Sequence, residues 1–253
     1  MANMGAAHTL HFALGIVGNI TALILFGISP AYVNYNFFLL NYVVKINLFL
    51  FIEFRFTFWR IVTTQSTQNF SGIPYVMTML NCLLSAWYGT PLISANNLLV
   101  TTTNGTGAAF ALVYVLIFLK YAPNNERRKI SALFFLNIAI YIAVALISML
   151  GFHGNSRKNF CGIAATVVSI LMYGSPLSII TQVIRTKSVE FMPFWLSFFV
   201  ALSCGSWLTY AVIGKDLFIE ISAGVGLILG IVQLILYTVY RRVTRDDNDN
   251  SNV

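Results

Sequence analysis

One asparagine and two aromatic residues lie inside long apolar runs, where polar chemistry is rare. Asn104 belongs to the run 101–107. An unpaired amide in hydrocarbon costs several kcal/mol, so this side chain must face protein or water. Tyr88 and Trp207 lie in two other apolar runs. Flat aromatic faces beside an amide suit a sugar, whose ring has apolar C–H faces and a rim of hydroxyl groups.

Both features also have structural explanations, which the residues alone leave open. Amides in membrane helices join neighbouring helices by hydrogen bonds, and Tyr and Trp are enriched where helices meet the membrane surface. No catalytic constellation accompanies them, since His8, His11 and His153 lie far apart near the ends of apolar runs. We therefore predict neither an enzyme nor a bound metal or cofactor.

The composition predicts an all-α integral membrane protein. Hydrophobic residues form 58% of the chain and charged residues 9%, whereas soluble proteins carry roughly 25% charge. The apolar residues form blocks close to the roughly 20 residues that a spanning helix needs. The net charge of +7 lies mainly between these blocks, so it does not indicate a nucleic-acid partner. Seven transmembrane helices are predicted, at 9–30, 74–94, 98–119, 130–151, 161–183, 191–213 and 217–240.

Two stretches repeat each other at a fixed offset of 119 residues. The offset pairs Pro74 with Pro193, Tyr88 with Trp207, Gly105 with Gly224 and Gly107 with Gly226. One unpaired span between two three-span units makes both units insert the same way round, which predicts parallel repeats that enclose a pathway. The repeated glycines are expected to allow close helix packing. The predicted parts are a first repeat (1–122), a linker helix (123–155), a second repeat (156–240) and a disordered cytoplasmic tail (241–253).

Basic residues predict the orientation in the lipid bilayer. With the C-terminus inside, three Lys and Arg residues face outward, and these are Arg157, Lys158 and Lys215. Ten face the cytoplasm: Arg60, Lys120, Arg127, Arg128, Lys129, Arg185, Lys187, Arg241, Arg242 and Arg245. This positive-inside bias places the N-terminus outside.

Four prolines lie towards the cytoplasmic ends of the spans, as one pair in each repeat. A proline breaks a helical hydrogen bond and allows a bend. Single prolines are ordinary kinks in many membrane helices, but the matching positions favour hinges for alternating access. Acidic residues are absent from the middle of the spans, which favours facilitated diffusion over proton symport. The four prolines are Pro30, Pro74, Pro176 and Pro193.

Four segments together resemble plant SWEET sugar transporters, the nodulin/saliva family. They are 65–75 (QSTQNFSGIPY), 80–89 (LNCLLSAWYG), 172–178 (MYGSPLS) and 186–194 (TKSVEFMPF). The resemblance covers nearly the whole chain except 31–56 and the tail. It implies a 3+1+3 helix fold and bidirectional uniport of mono- or disaccharides. The amino-acid sequences of these segments are most similar to those of hexose-transporting members, which are often at the plasma membrane. The family resemblance also suggests homo-oligomers.

The resemblance also implies roles for individual residues. The family's hinge prolines match the four prolines above, and Tyr88 and Asp216 match an outer gate. Its sugar site matches Ser85, Asn104 and Trp207, but a second asparagine of the family is replaced by Ala223. Losing one hydrogen bond costs roughly 0.5–1.5 kcal/mol, a sizeable share of the about 4 kcal/mol with which a millimolar ligand binds. Activity is then weakened, altered or partly restored by the neighbouring Ser222.

The run 31–56 departs from the family, which has two residues where this chain has 26 between Pro30 and Thr57. Twenty-four extra residues would form a helix about 36 Å long, enough for an additional span. We favour a translated intron or a gene-model error. The run is rich in Asn, Tyr, Phe, Ile and Leu, and AT-rich noncoding sequence tends to yield these residues when it is translated. A dominant mature transcript that contains these codons would contradict this hypothesis.

Two alternatives to a sugar uniporter remain. The chain could be a seven-helix receptor or scaffold, although receptors do not need a duplicated unit. It could also be a non-transporting family member, impaired by Ala223 and the inserted run.

Overall fold

The computed structural model describes residues 61–67, 71–95, 97–189, 192 and 194–251, all within one compact unit, 42–253. Most of these residues are helical, and the described part of the chain contains no β-strand. After a short helical stretch at 61–64, the helices are α1 (Ile73–Tyr88), α2 (Leu98–Tyr121), α3 (Asn124–Leu150), α4 (Gly154–Met172), α5 (Gly174–Thr186), α6 (Phe194–Gly214) and α7 (Leu217–Ser251).

Within the described residues, five helical stretches are long and apolar enough to cross a membrane. They match five predicted spans, and α1 covers most of the predicted span 74–94. The prediction of an all-helical membrane protein is thus confirmed, whereas the span 9–30 and the run 31–56 lie outside the described residues. The five stretches are Leu98–Tyr121, Asn124–Leu150, Gly154–Thr186, Phe194–Gly214 and Leu217–Arg241.

Prolines explain where several helices begin and end. Pro74 lies in the first turn of α1, where its missing N–H breaks no helical bond. α4 ends at Met172, four residues before Pro176, because a proline ring clashes with the carbonyl four positions earlier. At the C-terminus, the sequence predicts a disordered tail from 241, whereas α7 continues to Ser251. No proline or glycine follows Gly230 to interrupt it.

The helices pack in a pattern that reflects the duplication. The most extensive pairs are α1 with α2 and α6 with α7, which are the second and third helices of the two predicted repeats. α1 also packs on α3 and α4, and α4 packs on α7. Leu80 and Leu84 of α1 form a buried cluster with Cys161 and Ala165 of α4. The α1–α4 contact therefore joins the two repeats.

Close helix packing at glycine is confirmed at one of the repeated positions. A Cβ added at Gly226 would lie 2.5 Å from the Tyr173 hydroxyl. At Gly105 and Gly224 an added Cβ would meet no atom of the described residues within 4 Å, so close packing at these two glycines stays a prediction.

Candidate substrate site and gate

A cavity of about 220 Å³ is lined by residues of α1, α2, α4, α6 and α7. Its wall contains all four residues that the sequence predicts to bind substrate: Ser85, Asn104, Trp207 and Ala223. The structure thus brings these residues together from both repeats. Pockets of roughly 300–1,000 Å³ hold drug-sized ligands, so this smaller cavity suits a small molecule.

Asn104 and Ala223 are equivalent residues of the two repeats, and both line this cavity. The Asn104 Nδ2 donates to the backbone oxygen of Val100 at 2.9 Å, so the amide oxygen is left to face a ligand. Ala223 offers only a methyl group, and 6% of its surface is exposed. The cavity wall is therefore polar at Asn104 in the first repeat and apolar at Ala223, the equivalent position of the second repeat.

Ser222 does not replace the missing amide as a hydrogen-bond donor. Its hydroxyl lies 3.2 Å from the backbone oxygen of Phe218 and 3.1 Å from that of Ile219. The single hydroxyl hydrogen is thus used within α7, although Ser222 lines the cavity.

The predicted gate residues, Tyr88 and Asp216, are hydrogen bonded across the two repeats. The Tyr88 hydroxyl lies 2.8 Å from Oδ1 and 2.6 Å from Oδ2 of Asp216. Both residues are buried, with 2% and 3% of their surface exposed. Phe218 packs edge-on against the Tyr88 ring, with 5.9 Å between centroids. Tyr88 and Phe218 also line the cavity, so the Tyr88–Asp216 hydrogen bonds lie beside it, and their role as a gate stays a prediction.

Three further residues complete the polar cluster around Asp216, and sequence reasoning missed them. The Asn97 Nδ2 donates to Asp216 Oδ2 at 2.6 Å, and the Tyr210 hydroxyl donates to Asn97 Oδ1 at 3.2 Å. The Lys158 Nζ lies 3.7 Å from Asp216 Oδ2. The signal for Asn97 was present, because adding 119 to 97 gives 216. The buried carboxylate is thus fully paired, as burial of a charge requires.

The predicted hinge prolines occupy different helical positions. Pro176 follows the break between α4 and α5, at Tyr173. Pro74 instead lies in the first turn of α1, so a hinge at this proline would lie between α1 and the segment that precedes it. Pro30 and Pro193 lie outside the described residues, and the hinge role of all four stays a prediction.

A family profile described as "Sugar efflux transporter for intercellular exchange" (MtN3_slv) matches residues 37–126 and 159–245. The chain belongs to the MtN3/SWEET family. The two matches end at Glu126 and Arg245, which are 119 residues apart, so the family profile confirms the duplication. The first match begins inside the run 31–56, and the hypothesis that this run is foreign stays a prediction.

Named SWEET proteins are similar over most of this chain. The bidirectional sugar transporter SWEET1 of Arabidopsis thaliana is 51% identical over 237 residues, which is 94% of this chain and 85% of the relative. SWEET1a of Oryza sativa subsp. japonica is 56% identical over 196 residues, 78% of this chain and 72% of the relative. These relatives are transporters by name, which confirms the prediction of a non-enzyme.

A solved eukaryotic SWEET transporter has the same fold. Its structure aligns with a TM-score of 0.77 at 39% identity, over 81% of this chain and 96% of the solved chain. The SWEET fold therefore extends over most of this chain.

Proposed function

We propose that this SWEET protein is a facilitative, bidirectional sugar transporter whose substrate is a hexose such as glucose. The observation that carries the proposal is the cavity, which joins Ser85, Asn104 and Trp207 from both repeats. An aromatic face beside an amide oxygen and a hydroxyl suits a sugar ring. The relatives' names, bidirectional sugar transporters, support the substrate class and both directions.

Transport without a coupled proton fits the charges around the cavity. Among the described residues, its wall contains no Asp, Glu, His, Lys or Arg. Asp216 is the acid next to it, and this carboxylate is held by Tyr88, Asn97 and Lys158. A paired carboxylate of this kind serves as a structural contact, so we expect uniport.

Alternating access would proceed by rocking of the two three-helix units about Pro30, Pro74, Pro176 and Pro193. The closed pair Tyr88–Asp216 would form the outer gate, with the N-terminus outside and the C-terminus in the cytoplasm. The charge bias of the sequence supports this orientation. We further propose the plasma membrane as the location and a homo-oligomer as the assembly, both on the family resemblance.

Uptake of labelled glucose into proteoliposomes tests the function. We expect uptake that a protonophore does not change, and efflux from preloaded vesicles that external glucose accelerates. Asn104→Ala and Trp207→Ala should each abolish uptake. Trp195→Ala is the matched control, because Trp195 is also on α6 but is 64% exposed and should leave uptake intact.

The outcomes separate the alternatives. Uptake by the parent chain that both cavity variants retain would overturn the cavity as the substrate site. A parent chain that folds but transports no sugar would instead support the alternative that this chain is a non-transporting member of the family. Uptake that collapses with the proton gradient would overturn uniport while leaving sugar transport in place.

A further inference from the structure

The cavity contains a second amide that the duplication does not predict. Asn81 lies on α1 one helical turn before Ser85, and both line the cavity. Residues four apart share one face of a helix, so the two side chains flank the same space. The equivalent residue of the second repeat is Val200, so this amide has no counterpart there.

The hydrogen bonds of Asn81 leave its amide nitrogen available. The Ser169 hydroxyl lies 2.7 Å from Asn81 Oδ1 and 2.9 Å from the backbone oxygen of Ala165, and donation along the shorter contact engages the amide oxygen against α4. The Asn81 Nδ2 has no partner within the described residues. No fully buried side-chain nitrogen or oxygen of the described chain lacks a partner, so this Nδ2 is an accessible group.

Asn81 and Asn104 present complementary groups to the cavity. Asn104 uses one of its two N–H donors on the Val100 carbonyl and keeps its oxygen free, whereas Asn81 accepts from Ser169 and keeps both N–H donors free. A sugar hydroxyl both donates and accepts hydrogen bonds. One free donor and one free acceptor can therefore hold two hydroxyl groups of one ring.

We propose that Asn81 is a substrate-binding residue that donates a hydrogen bond to one sugar hydroxyl, and so supplies the amide donor that Ala223 lacks. Ser169 is the positioning residue, because its hydroxyl holds the Asn81 amide in this orientation. The inference deepens the proposed transport of a hexose and rests on it. It assigns specificity for one hydroxyl of the ring to a residue outside the repeat-related pair.

The test compares glucose with its 2-, 3-, 4- and 6-deoxy analogues in proteoliposomes that contain the parent chain or Asn81→Ala. One hydrogen bond corresponds to a roughly 2- to 12-fold change in glucose affinity, so the variant should lose uptake efficiency by that factor. For one deoxy sugar, the parent and the variant should transport equally well, because the accepting hydroxyl is missing.

A structural defect would produce a different pattern. If Asn81→Ala lowered uptake of glucose and every deoxy sugar by the same factor, or left glucose uptake unchanged, the inference would be overturned. Asn81→Ser gives the same comparison if the alanine variant does not fold, since its hydroxyl can still pair with Ser169. Asn155→Ala, at an exposed asparagine of α4, should match the parent for every sugar.

Measurements on the parent chain distinguish failure of the proposed function from failure of the role proposed for Asn81. If the parent transports neither glucose nor any analogue, the proposed function fails, and the inference fails with it. If the parent transports glucose and Asn104→Ala does not, a uniform result for Asn81→Ala overturns only the role of Asn81.

Discussion

Asn97 and Asp216 occupy the same position in the two repeats, and they are hydrogen bonded directly to each other at 2.6 Å. Each precedes the last helix of its repeat, since α2 begins at Leu98 and α7 at Leu217. Asn97 is the N-cap residue of α2, but its side chain makes no capping hydrogen bond to that helix. Equivalent residues of parallel repeats meet only beside the axis that relates them, so this contact marks that axis next to the cavity.

Tyr88→Phe should weaken the closed gate. The change removes a hydrogen bond to a buried carboxylate, which contributes about 1.5–3 kcal/mol. The open fraction at this end should therefore rise by roughly 10- to 150-fold. Cys204 lines the cavity and is a free thiol, so its labelling by a membrane-impermeant maleimide measures the opening.

The labelling is specific when the other two cysteines, Cys82 and Cys161, are replaced by alanine in every variant. Glucose should slow the reaction, since it would occupy the same cavity. Equal labelling of Cys204 in Tyr88→Phe and its parent would show that this hydroxyl does not hold the gate closed.

Lys158→Gln should open the gate much less than Tyr88→Phe. The Lys158 side chain is 36% exposed and its Nζ is 3.7 Å from Asp216 Oδ2. Asp216 is buried, but the Lys158 end of the pair is accessible to solvent and the separation is long, so we expect the pair to contribute about as much as a surface pair, about 0.2–1 kcal/mol, and labelling of Cys204 to rise by no more than roughly fivefold. High salt should reduce the difference, because it screens this pair. An increase as large as that of Tyr88→Phe would make Lys158 an essential part of the gate.

Ala223→Asn should strengthen sugar binding. The new amide would stand at the position equivalent to Asn104, on the wall of the same cavity. One added hydrogen bond of about 0.5–1.5 kcal/mol corresponds to a roughly 2- to 12-fold lower KM for glucose. Concentration-dependent uptake in proteoliposomes measures this change.

Ala223→Leu is the matched control for the added amide. Leucine has the same branched arrangement of four side-chain heavy atoms as asparagine, although it is larger, and it cannot bind a hydroxyl, so it should raise the KM or abolish uptake. If both substitutions had the same effect, the missing amide would not limit the affinity of this chain.

Much of the site followed from sequence because it depends on spacing. The offset of 119 placed Asn104 opposite Ala223, and both line the cavity. Spacing does not reveal which atoms of a side chain form hydrogen bonds. The free nitrogen of Asn81 and the bonding of the Ser222 hydroxyl within α7 could therefore be seen only in the structure. The sequence also predicted a bend at Pro74, whereas the structure places this proline in the first turn of α1. A proline bends a helix only where a helical turn precedes it, and spacing does not show where the helix begins.

Gly226→Ala should destabilise the protein, whereas Gly224→Ala should not. At Gly226 an added Cβ would lie 2.5 Å from the Tyr173 hydroxyl and 2.7 Å from the Cys204 sulfur. That hydroxyl also donates to the Ser222 backbone oxygen at 2.8 Å, so the added methyl would disturb the contact between α7 and the α4–α5 break. Overpacking of this kind costs about 1–3 kcal/mol.

The two glycines form a matched pair because both lie on α7, two residues apart. Alanine gains about 1 kcal/mol over glycine in helix propensity at either position, so the difference between the variants isolates the contact. Thermal unfolding in detergent should give Gly226→Ala a lower melting temperature than Gly224→Ala by several degrees. Equal melting temperatures would mean that Tyr173 can move aside without loss, and that the break after α4 is not held by this contact.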